Sequence, residues 1–243
     1  MPTVFVHGVP ETPVIWDALI DSLEIDDAIR LRLPGFGSPL PDGFEATMDR
    51  YAEWLQQELE AIEGPIDLVS HDWGALLSVR VNARHPDLVR SWVTDMGNLN
   101  DEFEWHDTAR TWQTPGDGEA FMEGILGISD AERGELLAGL GIEAAIAARM
   151  SPEVDETMGA AILTLYRSAV SIGADWGPGI DGITVPTLCV EAALDPFRSP
   201  GAVEAFVART GAKTATLEEA GHWWMTTHPS AAAAAIRDFW SSL

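Results

Sequence analysis

The sequence predicts an α/β fold, a mostly parallel sheet flanked by helices and interrupted by a helical insertion, and three observations carry that expectation. Short apolar runs alternate with segments whose apolar residues recur at helical spacing, the pattern of parallel strands joined by crossover helices. The alternation stops near Asn98 and resumes near residue 180, with a strand-poor stretch between. One run, Ile66-Asp67-Leu68-Val69-Ser70-His71-Asp72-Trp73-Gly74, is strand-like, ends in an exposed turn and restarts as a helix, with a carboxylate at the bend.

Each element has a local reason. Thr3 to Val6 reads as a buried strand, and Glu11 to Leu23 as a helix opened by Thr12-Pro13. Ala28 to Leu33 is a second strand, ended by Pro34-Gly35-Phe36-Gly37-Ser38, a loop that calls for glycine dihedrals. Met48, Tyr51, Leu55, Leu59 and Ile62 place a helix over Ala46 to Ile62. The strand Ile66 to Ser70, a helix from Gly74 to about His85 and a strand from Val89 to Asp95 follow. The insertion is broken at Thr114-Pro115-Gly116 and Ser151-Pro152. Ile183 to Val190 resumes the strands, with a helix over Gly201 to Arg209, a strand over Lys213 to Leu217 and a last helix over Pro229 to Trp240. Residues 1–98 and 180–243 therefore form a core, and residues 99–179 a helical cap.

Composition excludes several classes of function. With 39 acidic against 14 basic residues and a formal charge of −25, the surface repels nucleic acid and anionic membranes. An acidic surface serves solubility or a saline habitat and does not bear on the reaction. Cys189 is the one cysteine, in an apolar run, so it reads as a buried, inert thiol and no disulfide framework exists. No Cys/His cluster has zinc spacing, and neither metal nor cofactor is expected. The N-terminus lacks a charged leader region and no apolar run reaches membrane-spanning length, so the expectation is a soluble, cytoplasmic monomer or homodimer.

Ligands on open parallel sheets bind at the carboxyl ends of the strands. Asp72 follows the Ile66 strand, Asp195 the Val185 strand and His222 the Lys213 strand, and their joint placement points to nucleophile, acid and base. Taken singly, Asp195 also suits the start of a turn, and His222 a satisfied core histidine. Asp95, ending the Val89 strand, is an alternative acid. An aspartate at the bend alters the chemistry, because a carboxylate is anionic at neutral pH and displaces a leaving group directly from an sp3 carbon. Two backbone N–H groups, of Trp73 and of Val9 in His7-Gly8-Val9-Pro10, are the expected oxyanion hole. His7 and His71 read as structural.

These segments resemble the aspartate-nucleophile branch of the α/β-hydrolase superfamily, which holds epoxide hydrolases, haloalkane dehalogenases and fluoroacetate dehalogenases. The matching stretches are His7-Gly8-Val9-Pro10-Glu11 with Trp16, Pro34-Gly35-Phe36-Gly37-Ser38, His71-Asp72-Trp73-Gly74, Val185-Pro186-Thr187-Leu188, Asp195 and Gly221-His222, and they span nearly the whole chain. The resemblance implies the α/β-hydrolase fold with its inserted cap and with Asp72, Asp195 and His222 in triad order. Two departures stand out. Ser70 replaces the glycine usual two residues before the nucleophile, and the usual leading β-hairpin has no counterpart, which predicts a six-stranded sheet or a partner covering its edge.

The branches differ in the leaving group. Tyr166, in Leu165-Tyr166-Arg167, matches the cap tyrosine that donates to the departing oxygen in epoxide hydrolases, with His106 as a further donor in place of their second tyrosine. Half-buried packing on an amphipathic helix is its bland alternative. Haloalkane dehalogenases bind halide between the tryptophan after the nucleophile, here Trp73, and a second donor. Val9 stands where many carry asparagine, so Trp105 and Trp112 are the candidates, each also explicable as packing among ten tryptophans. Fluoroacetate dehalogenases grip a carboxylate with arginines after the nucleophile, where this chain has Trp73 and Leu76. The expected activity is thus hydrolysis of a small hydrophobic epoxide with water, with haloalkane dehalogenation as the alternative and a non-catalytic binder as the third. Trp105, Met122, Ile125 and Tyr166 predict an apolar, largely dry pocket.

Overall fold

The computed structural model describes residues 1–95, 99–100 and 102–243. Six strands form one all-parallel sheet: β1 (Thr3–Val6), β2 (Ile29–Leu31), β3 (Asp67–Ser70), β4 (Ser91–Thr94), β5 (Thr187–Ala192) and β6 (Lys213–Leu217). Their spatial order is β2-β1-β3-β4-β5-β6, the six-stranded sheet expected. The chain starts at β1, builds β2 on one side and crosses to β3 on the other. The order therefore reverses between β1 and β3, and a crevice opens there at the carboxyl ends.

The strands are apolar on both faces because both faces are covered. Val4, Val6, Leu68, Trp92 and Cys189 pack on one side in the cluster that includes α2 (Met48–Glu60), α3 (Trp73–Arg84) and α10 (Ala202–Thr210). Phe5, Val69, Val93, Leu188 and Val190 face the other side, against α1 (Asp17–Leu23), the short α11 (Trp224–Thr227) and α12 (Pro229–Ser241). Strand β5 begins at Thr187, four residues later than the apolar run, because Pro186 has no N–H for the ladder. The helix expected from Glu11 opens as a 3-10 turn over Pro13–Trp16 before α1 begins.

Between β4 and β5 the described chain is helical, with α4 (Asp107–Gln113), α5 (Asp117–Leu126), α6 (Asp130–Leu140), α7 (Ala144–Met150), α8 (Glu156–Ser168) and α9 (Ile172–Trp176). The boundary expected at Asn98 lies outside the described residues. The insertion is tied down by polar contacts: Arg32 pairs with Glu153 while its guanidinium donates to the Phe36 and Gly37 carbonyls, and the Ser168 hydroxyl accepts from the Met48 N–H at 2.8 Å. Among the described residues no helix is long and apolar enough to cross a membrane.

Close approach of α3 to β1 depends on Gly74, where an added Cβ would fall inside contact with the Val6 and His7 carbonyl oxygens. Gly74→Ala is expected to cost about 1–3 kcal/mol, because the obstruction is backbone and has nowhere to move. On α5, nothing lies within 4 Å of a Cβ added at Gly124, so Gly124→Ala is expected to gain about 0.5–1 kcal/mol. Urea unfolding midpoints measure both, and a Gly74→Ala midpoint at or above wild type would contradict the packing.

Candidate active site

The crevice between β1 and β3 is where the reactive groups gather. Asp72 occupies the turn from β3 into α3 with φ +49° and ψ −120°, a conformation that non-glycine residues rarely adopt. Strain of this kind costs on the order of 1–3 kcal/mol and persists where its surroundings hold it. Here the holders are visible. The Asp72 N–H donates to Asp95 Oδ1 at 3.2 Å, and Gly8 leaves no space for a side chain against that of Asp72. Ser70, in the place of the usual glycine, is accommodated by two bonds: its hydroxyl accepts from the Trp92 indole at 2.7 Å and donates to the Val93 carbonyl at 3.4 Å.

One carboxylate oxygen of Asp72 accepts the Val9 N–H at 2.9 Å, while the other lies 3.8 Å from His222 Nε2. Trp73 begins α3, so its N–H is one of the helix's first donors without an intrahelical acceptor. His222 Nδ1 is bonded to Asp195 Oδ2 at 2.9 Å, and Asp195 Oδ1 accepts the Phe197 N–H at 2.8 Å. Burial and neighbouring His71 push the His222 pKa down, but the Asp195 bond and the nearby carboxylates outweigh them and leave it raised. Burial pushes Asp72 above the usual carboxylate value, opposed by His222, His71 and the Val9 N–H. Burial would likewise raise Asp195, but its bond to His222 leaves it lowered.

Beneath this group sits a charge cluster. His71 is fully buried with Nε2 3.0 Å from Glu11 Oε1 and Nδ1 bonded to Asp95 Oδ2. Burial alone would strip its proton, yet the two carboxylates hold its pKa well above 6.5, and His71 in turn holds Glu11 down to about 2. The Trp223 indole donates to Glu11 at 2.6 Å and the Trp224 indole to Asp95 at 2.6 Å, while Glu11 Oε2 accepts the Gly8 N–H at 2.7 Å. Asp95, the alternative acid for His222, thus serves His71, Trp224 and the Asp72 backbone instead. The Glu11, His71 and His222 ligand atoms lie within 4.8 Å of one another. Both nitrogens of His71 face carboxylates, so the group is an ion cluster and not a metal seat. His7 is neutral, its pKa pushed by burial to about 4, and holds its loop by accepting the Leu33 N–H at 3.2 Å.

A cavity of about 420 Å³ opens over Asp72. His222, Val9, His106, Trp112 and Tyr166 line it, with Met122 and Ile125 among its apolar walls. Trp105 does not reach it: its indole donates to the Ala169 carbonyl at 2.8 Å, and it lines an adjoining pocket of about 190 Å³ instead. Burial raises Tyr166 well above 10, Asp72 adds to that push, and the Trp73 indole N–H opposes it, so the phenol keeps its proton. The Trp112 indole N–H is buried with no hydrogen-bond partner among the described residues, and the rings of Trp73 and Trp112 lie 5.4 and 4.8 Å from that of Tyr166. His106 Nδ1 accepts the Ala109 N–H at 3.2 Å, which puts the neutral ring's proton on Nε2. Burial, with His222 adding, keeps its pKa below 6.5.

Sequence reasoning overlooked the Glu11 clamp, the Trp223 and Trp224 anchors and Phe197, whose ring lies 4.8 Å from both His106 and His222. Charged Glu11 and indole pairs carry no periodic signal, and only the loop motif around Glu11 hinted at it. Removing the cation from the cluster is expected to be costly: His71→Gln should lose about 3–5 kcal/mol, since two buried carboxylates would lack their partner. Because the folded pKa of His71 is raised, its contribution is complete below about pH 6.5 and is lost as pH rises through the folded value. Urea unfolding across neutral to alkaline pH should show that decline in wild type and a flatter profile in His71→Gln; parallel profiles would count against a cationic His71.

Comparison with known proteins agrees with the fold. Over its full length the chain superposes on a laboratory-evolved variant of potato epoxide hydrolase (TM-score 0.81, 18% identity, 93% of that chain covered). It is similar as well to haloalkane dehalogenase DbeA from Bradyrhizobium elkani (TM-score 0.77, 22% identity), over 99% of this chain and 91% of that one. In sequence it is 28% identical over 91 residues to (E)-2-((N-methylformamido)methylene)succinate hydrolase of Acinetobacter baylyi, a match spanning 37% of this chain and 35% of that one. Residues 3–236 match the alpha/beta hydrolase family, to which this chain belongs.

Proposed function

We propose that this chain is an aspartate-nucleophile hydrolase that opens a small hydrophobic epoxide to a diol through an alkyl ester on Asp72. The observation that carries this reading is that a buried, protonated tyrosine, Tyr166, shares one apolar cavity with Asp72 and His222. With Asp72 Oδ1 held by the Val9 N–H, Oδ2 is the attacking oxygen. It bonds to the epoxide carbon as the ring C–O bond breaks, and Tyr166 gives its proton to the departing oxygen. His222, oriented by Asp195, then takes a proton from water, whose oxygen adds to the Asp72 carboxyl carbon. The oxyanion is held by the N–H groups of Val9 and Trp73. Collapse releases the second product oxygen with the proton from His222, and the proton left on Asp72 restores Tyr166.

A second reading has its own support. The indole N–H of Trp112, on the wall of the same cavity, has no hydrogen-bond partner among the described residues, and together with the Trp73 indole beside Tyr166 it suits a departing halide. Panels of styrene oxides and bromoalkanes divide the readings: diol release supports the first, halide release the second, and silence on both leaves a binding protein.

His222→Gln is expected to accumulate a covalent adduct visible as a mass increase, whereas Asp72→Ala forms none; a His222→Gln protein that stays unmodified by a substrate wild type turns over would sink the ester scheme. For the pH profile, His222 must be neutral to activate the water that hydrolyses the ester, so kcat should fall as pH drops through the raised His222 value. No loss near pH 10 should come from Tyr166, whose proton is held beyond its ordinary range. Tyr166→Phe should lower kcat by about 10–100-fold on epoxides. An unchanged kcat would shift the assignment to the indole donors.

A further inference from the structure

We infer that the substrate is an elongated, uncharged apolar molecule that enters between α5 and α6 and rests its far end on a rim of Phe121, Leu136 and Leu140. This rests on the epoxide reading for the reacting end and adds the rest of the molecule. The rim residues are exposed by 38, 43 and 55%, unusual for large apolar side chains on a chain of charge −25, and all three line the cavity that reaches Asp72. Of the other exposed large apolar residues described, Met1 and Leu243 are chain ends, and none lines this cavity. The apolar surface is thus continuous from the nucleophile to solvent, and a ligand with an apolar tail is what covers it.

Size and charge narrow the class. A cavity of about 420 Å³ falls in the range of pockets that enclose a small organic ligand, roughly 300–1,000 Å³, and is well beyond what a bare epoxide fills. A carboxylate on the tail finds no cation. Among the described residues Arg133 is the only arginine or lysine on the cavity wall, and its guanidinium is spent on the carbonyls of Ser151, Ile125 and Ile128 and on Asp130. The acidic surface adds repulsion for any anion. A terminal alkyl epoxide with an uncharged tail fits both limits.

The test separates binding from turnover. Tryptophan fluorescence of the full chain, with Trp112 and Trp223 on the cavity wall, is titrated with decanol, butanol and decanoate. Decanol should bind about tenfold or more tightly than either of the others, and Leu136→Ser/Leu140→Ser should weaken decanol about tenfold. Equal affinity for decanol and butanol, decanoate matching decanol, or a double variant that binds decanol like wild type would each overturn the proposal. In turnover, the ratio of kcat/KM for decene oxide over butene oxide should fall about tenfold in the double variant; an equal loss on both substrates would also overturn it. If wild type hydrolyses neither oxide, the epoxide reading fails while the binding series still judges the elongated, neutral ligand.

Discussion

A single buried cation holds this site together. His71 lies between Glu11 and Asp95, and through those two carboxylates it reaches three separate segments. Glu11 carries the Gly8 N–H of the loop after β1 and the Trp223 indole beside His222. Asp95 carries the Asp72 N–H at the turn after β3 and the Trp224 indole. The strained backbone of Asp72, the donor at Val9 and the position of His222 therefore share one anchor. Such a network is worth having only when every member is satisfied, since an unpaired buried carboxylate is far more costly than the pair is stabilising.

Above that anchor the environment changes from charged to apolar, and the contrast shapes the chemistry. Asp72 sits at the boundary, raised by burial and steadied by one N–H and two imidazoles. A desolvated carboxylate is a stronger nucleophile than a hydrated one, and dipoles fixed beforehand cost no reorganisation when charge moves. The same dryness keeps Tyr166 protonated, as the proposed role of proton donor beside Asp72 requires.

Much of this was legible in the residues. Strand and helix periodicity gave the parallel sheet because both faces are covered by apolar helices, and glycine-bearing turns marked the crevice. The positions after β3, β5 and β6 pointed to Asp72, Asp195 and His222, which the fold brings together. Other features were not legible. That Asp95 faces His71 and Asp195 faces His222 depends on side-chain direction, which strand order alone leaves open. Trp105 and Trp112 looked equivalent as second donors to a halide, yet Trp105, in the loop before α4, donates to Ala169, while Trp112, on α4, has no hydrogen-bond partner among the described residues. Ser70 in a glycine position is explained only by Trp92 across the sheet.

The site also has two covalent addresses. Asp72, Asp195, His222, Val9, Glu11 and His71 all belong to the sheet and its loops, whereas Tyr166, Trp112 and His106 all belong to the one segment between β4 and β5. That segment leaves and re-enters the sheet at adjacent parallel strands, so the backbone could accept a different insertion there without rethreading. In the proposed scheme, the hydrolytic half of the site and the half that receives the leaving group are therefore separable modules. Exchange of a single internal segment is a route by which one anchored carboxylate comes to serve different bonds.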